Sequence, residues 1–168
     1  MKITAQDPNP FSVAELKAHL RIYFSEEDDV IARYSDSSLD FYERLTDHYL
    51  RSTTMEQRFA ESPVEVFARP FVRLDSAKDD DDEDVSVTVT EAPTGVTVFE
   101  WDSDAAGAAT LVIEFGESSR GAIPARSAQA MRAMVADCYV HRNLEHHQTT
   151  NTAFLSSSIL LGEGRTVL

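Results

Sequence analysis

One cysteine, Cys138, stands in 168 residues, so no intrachain disulfide can staple the fold and a reducing cytoplasm is the expected compartment. No run of about 18 apolar residues occurs, so no membrane span is expected. The opening MKITAQDPNPF lacks the apolar centre of a secretory signal. Basic side chains are scarce as well: 15 Lys and Arg face 29 Asp and Glu, leaving a formal net charge of -14. Such a chain repels a polyanion, which argues against a protein that grips or reads DNA. Catalytic signatures are missing too. There is no Gly-x-Ser-x-Gly elbow, no Walker loop, no HExxH and no Gly-rich turn after a strand. No catalytic residue, metal or cofactor is therefore expected.

What is present reads as one soluble domain: 42% hydrophobic and 26% charged residues are ordinary for a globular chain of this length. Ser12 and Glu15 have the spacing of a capping box, and Phe11 and Leu16 that of a hydrophobic staple, which predicts a short helix with Val13, Leu16 and Leu20 as its buried stripe. A helix of about ten residues is marginal alone and must rest on something larger. Ser25 starts that larger element. Glu26, Glu27, Asp28 and Asp29 oppose the positive end of its dipole. Ile31, Tyr34, Ser38, Phe41, Leu45 and Tyr49 then predict a helix from about 26 to 50. A metal site in the acidic cluster is the alternative, but no calcium-loop glycine follows.

From Pro63 the period falls to two. VEVFARPFVRL, VSVTVTE, VTVFEW and TLVIEFGE predict four or five mainly antiparallel strands. Val85, Val87 and Val89 face Val96 and Val98 across the turn at 92 to 95, as a hairpin. Pro70 makes its run an edge, a bulge or two pieces. The run DSAKDDDDED, 75 to 84, reads as a solvated, mobile loop, with divalent-ion binding as the alternative.

Pro124 suits the first position of a helix that should last to about residue 144 and cross one face of the sheet. Ala128, Met131, Val135, Cys138 and Tyr139 form its stripe, widened by Ala130 and Met134; Cys138 fits a small core residue better than a nucleophile. His141, His146 and His147 cluster at its end. Their spacing is not that of stacked metal ligands, and with Arg142 they complement the C-terminal dipole. Beyond the polar QTTNT come Phe154, Leu155, Ile159, Leu160 and Leu161, an apolar set that either returns to its own subunit or docks on a partner.

The LKAHLR helix at 16 to 21 with acids behind it, the second long helix, the strand-rich middle, the Pro-started helix carrying Tyr139-x-x-Arg142 and the Leu160-Leu161 tail together resemble the head-tail connector proteins of long-tailed bacteriophages. These are adaptor, or head-completion, proteins. The chain departs from the family's usual pattern in its acidic run at 79 to 84 and its polar linker at 148 to 152.

The resemblance implies an α+β fold with N-terminal helices, a mainly antiparallel β region and a C-terminal helix. It implies a single connector domain over 1 to 147 and an extended docking tail over 148 to 168. It further implies a non-enzymatic subunit in the virion neck, assembled in the host cytoplasm. Its partners would be the portal protein, neighbouring copies in a dodecameric ring, and a stopper or tail protein. Portal or subunit-interface roles would fall to Arg142, Phe154, Leu155, Ile159, Leu160, Leu161 and Arg165. DNA would pass through the channel without specific binding, past a like-charged wall. The rival readings are a small acidic chaperone or adaptor for a secreted partner, and a small hydrolase, which would need a pocket of converging polar groups.

Overall fold

The computed structural model describes residues 2–103 and 107–141. Ser12 is extended and its hydroxyl accepts the N–H of Glu15 at 3.2 Å, which opens helix α1 (Val13–Leu20). Phe11 and Leu16 are both buried, as a staple requires. The other half of the capping box is absent, because the Glu15 carboxylate pairs with two arginines instead. Arg21 takes the left-handed conformation at φ 58 and ends the helix.

Helix α2 spans Asp28–Thr46, shorter at both ends than the expected 26 to 50. Asp47 turns left-handed at φ 53, and short polar side chains tolerate that conformation best after glycine. The buried face is Ile31, Ser35, Ser38, Leu39, Tyr42, Glu43 and Thr46; Phe41, expected inside, is 43% exposed. Helix α3 (Ala125–Val140) begins after Pro124 and ends four residues before the expected 144. It packs on α2 and α1. Ser127, Ala128, Met131, Met134 and Val135 are its buried stripe. Cys138, placed in the core by periodicity, is exposed.

Among the described residues these helices form one unit, Asn9–Thr46 with residues 119 to 141; residues 2 to 8 and Asp47–Ser118 form the other, built of strands. The fold class is α+β, as expected. Among the described residues the β unit has seven strands, against the four or five expected. They are β1 (Lys2–Gln6), β2 (Thr53–Phe59), β3 (Val64–Val66), β4 (Phe71–Lys78), β5 (Thr88–Glu91), β6 (Thr97–Glu100) and β7 (Ala109–Phe115). Two antiparallel sheets result, ordered β1-β2-β7-β4 and β3-β6-β5. β1 and β2 lie before Pro63, in sequence that showed no strand pattern.

Pro70 splits its run into two pieces, β3 and β4, that belong to different sheets. A proline cannot donate to a ladder, so the break falls where no donor is needed. The β5-β6 hairpin forms as expected but in another register. Val89 lies opposite Phe99, and Thr97 and Phe99 rather than Val96 and Val98 are buried.

The core of this unit joins both sheets. Phe99 on β6 and Phe115 on β7 each meet the Phe71 ring edge-on, at 5.8 and 6.0 Å between centroids. Met55, Leu111, Ile113 and Trp101 complete it. Burying each such side chain contributes about 1.5–3 kcal/mol. The Trp101 indole N–H, which cannot be left unpaired inside, donates to the Gly107 carbonyl at 3.0 Å. Gly116, at φ 112, sits against β2's entry: a Cβ there would lie 2.0 Å from the Arg51 carbonyl oxygen.

Candidate docking surfaces

In the helical unit the sharp close of α1 determines what projects. The Ile22 N–H donates to the Lys17 carbonyl at 3.0 Å and its side chain is buried, so the chain leaves the helix pinned at Ile22. The next two residues cannot follow it inward. Tyr23 is 91% and Phe24 49% exposed, an aromatic pair directly ahead of the acidic run that opens α2. Val140, at the far end of α3, is also exposed. Sequence reading missed the pair, although its signal was present: three apolar residues in a row after a helix end cannot all face one side.

Beside α1, a charged cluster holds the three helices together. Glu15 Oε1 accepts from Arg120 and from Arg132, each at 2.6 Å. Hydrogen bonding from Arg120 is the main cause that holds the Glu15 carboxyl below its ordinary value; burial opposes it, and Arg132 adds to the lowering. The Arg120 guanidinium lies 4.6 Å from the centre of the Phe11 ring. Lys17 pairs with Asp28 at 2.6 Å, and the Tyr139 hydroxyl donates to Glu27. This is structural chemistry: each carboxylate is matched to a donor.

Although the residue is exposed, partial desolvation is the main cause that pushes the Cys138 thiol above its ordinary value, which makes it a poor nucleophile. His141 closes α3, with Nδ1 2.9 Å from an Asp137 carboxylate oxygen. Among the described residues no group of three or more His, Cys, Asp or Glu side chains is placed to hold a metal ion, and no helix is long and apolar enough to cross a membrane. His146 and His147 lie outside the described residues. So do Arg142, Phe154, Leu155, Ile159, Leu160, Leu161 and Arg165, which the sequence pointed to as interface residues.

In the β unit, the acidic run forms a structured turn rather than an open loop. Asp79 accepts the N–H groups of Asp81 and Glu83, each at 2.9 Å. Asp80 accepts from Nε and Nη2 of Arg58, at 2.8 and 2.6 Å, which lowers the Asp80 carboxyl and raises the guanidinium. Asp82 pairs with Lys78 at 2.7 Å. With these three carboxylates spent on amides and cations, the turn does not present the converging oxygens that a calcium ion requires. The exposed apolar residues here are Ile3, Phe67 and Val72, all on or beside edge strands. The pair of buried His48 and half-buried Glu117, 3.1 Å apart, ties together the two segments flanking β2 and β7.

No family model matches this chain, and no curated protein matches it. Its fold does match solved structures. A chain from the virion of a native gene transfer agent particle superposes with a TM-score of 0.73 at 18% identity, covering 99% of this chain and 95% of that one. Chains from the neck of the empty particle, at C6 symmetry, and of the native particle, at C12 symmetry, each superpose with a TM-score of 0.70 at 18% identity. Each of these covers 100% of this chain and 97% of the other. At that identity the likeness is one of fold.

Proposed function

We propose that this chain is a structural subunit of the neck of a tailed-phage-like particle, a head-tail connector that forms a ring beneath the portal. The observation that carries the reading is the end-to-end likeness of fold. It covers 99% of this chain and 95% of a gene transfer agent virion chain, so it includes the β unit as well as the helices. The neck structures at C6 and C12 symmetry support a ring, with twelve copies the number that matches the higher symmetry. In such a ring each copy presents two different surfaces to its two neighbours. The projecting Tyr23 and Phe24 suit one of them.

Arg142, together with Phe154, Leu155, Ile159, Leu160, Leu161 and Arg165 of the tail, docks on the portal or on the neighbouring copy. A stopper or tail protein binds the opposite face of the ring. The net charge of -14 gives the channel a wall that DNA passes without adhering. The work is mechanical, with no reaction and no cofactor. Disrupting the gene in its parent genome tests the reading. Filled heads without attached tails are expected; normal numbers of complete particles would overturn it.

A further inference from the structure

Between Lys78 and Arg120 the chain carries twelve carboxylates and no Lys, Arg or His. The strand β5 lies in this stretch, at the edge of its sheet. Four strands end the two sheets, and three of them carry features that discourage further pairing. β1 breaks register between Ile3 and Ala5 and begins with Lys2. β4 breaks register twice and follows Pro70. β3 is three residues long, between Pro63 and Pro70. β5 has an unbroken register from Thr88 opposite Glu100 to Glu91 opposite Thr97, and contains neither Pro nor Lys. Its extended alternation starts earlier still: Val85, Val87 and Val89 are partly buried, while Ser86, Thr88 and Thr90 are exposed.

The direction of the main chain follows from one bond. The Ala92 N–H donates to the Val96 carbonyl at 2.8 Å, across the hairpin. Paired residues alternate in an antiparallel ladder, so Thr90 and Thr88 also bond toward β6. The main-chain groups of Val87, Val89 and Glu91 then point to the open side. At Val85 that side is in use: its N–H donates to Ala77 of β4 at 2.9 Å. Among the described residues the contact goes no further, since β5 pairs there with β6 alone.

We infer that this open edge, residues 87 to 91, accepts an extended basic segment of a partner protein as an added strand. Main-chain groups supply the pairing, and charge selects the occupant. Asp84, Glu91 and Glu100 are exposed along the border, and the cations Arg58 and Lys78 are already paired with Asp80 and Asp82. DNA is repelled here, and a second copy brings more negative charge. The inference does not depend on the neck reading, which concerns the ring as a whole.

The test uses the full chain with isotope-labelled amides and three synthetic peptides: basic KVTVKVTVK, acidic EVTVEVTVE and proline-broken KVTPKVTPK. The basic peptide should bind and shift the amides of Val87, Val89 and Glu91, and the other two should not. The double variant E91K with E100K should weaken it about tenfold, the scale of two surface charge contacts. Val87→Pro, which removes one outward N–H ahead of the β5 ladder, should abolish binding in a chain that still melts cooperatively, at a somewhat lower temperature because Val87 packs on the core. If that variant does not fold, the proline-broken peptide decides on its own. Equal binding of acidic and basic peptides would overturn the inference. So would undiminished binding of the proline-broken peptide, which means mere charge adhesion, or shifts at these amides on self-association, which make a second copy the occupant.

Discussion

The Tyr42 hydroxyl donates to the Ser127 hydroxyl at 2.9 Å in the core of the helical unit, although 85 residues separate them. Nearly all of that separation is the strand sequence, which the chain completes between α2 and α3. Both side chains are 1% exposed. Replacing Tyr42 with Phe leaves a buried hydroxyl short of its partner, so it should lower stability by about 1–2 kcal/mol. Urea unfolding followed by circular dichroism measures this, and an unchanged midpoint would show that water already serves Ser127.

Gly116 should be the least replaceable residue of the β unit. A Cβ would meet the Arg51 carbonyl oxygen at 2.0 Å, and φ 112 is strained for any L side chain. Neither the backbone oxygen nor the dihedral can yield cheaply. Gly116→Ala should cost at least about 3 kcal/mol, or prevent soluble expression. Gly107 has a positive φ as well, but a Cβ there meets nothing within 4 Å. Gly107→Ala should therefore be the milder change when the two are melted side by side.

Glu15 gives the fold a pH dependence with a definite sign. Its carboxyl is lowered in the folded protein from an ordinary value of 4.5. A depressed carboxyl contributes stability that is fully present above the unfolded value and lost as pH falls through the folded one. Glu15→Gln should thus be less stable than the parent at pH 7, and the gap should narrow only below about pH 4.5. Denaturant midpoints measured across that range check it; a gap that is constant with pH would mean that the carboxylate's charge contributes nothing.

Much of the helical unit was legible because its signals are local. The Ser12 cap and the Pro124 start each act within one turn of helix; Ser12 caps as expected, and Pro124 lies one position before the first helical residue, Ala125. The end of α2 was not, because Tyr49 continues the four-residue step from Leu45. It is instead buried in the β core, after Asp47 has turned the chain. The stripe was misjudged by one residue for a similar reason: neighbouring Phe41 and Tyr42 both suit a core, and tertiary packing selects Tyr42. β1 gave no signal at all. All five of its residues are exposed, so no polar and apolar alternation exists to be read. β2 buries Thr53 with Met55, and a threonine at an inward position blurs the pattern. Of the candidate interface, the tail residues were named from sequence and the Ile22–Tyr23–Phe24 run carried a legible signal that was missed, whereas the open β5 edge depends on a sheet order that only the fold defines.

Deleting residues 148 to 168 separates docking from folding. If Phe154, Leu155, Ile159, Leu160 and Leu161 pack on a partner, the truncated chain should melt as the full chain does and fail to hold the portal protein in a co-purification. Five such side chains packed on their own subunit would each contribute about 1.5–3 kcal/mol, comparable in total to the whole stability of a small domain. A truncated chain that melts many degrees lower, or is insoluble, would assign the tail to its own core.

The most direct measurement is electron microscopy of the chain assembled with the portal protein of its own genome. A closed ring of twelve copies seated on the portal around an open channel is the expected result. Well-folded protein that stays unattached, or that binds elsewhere on the particle, would contradict the neck assignment.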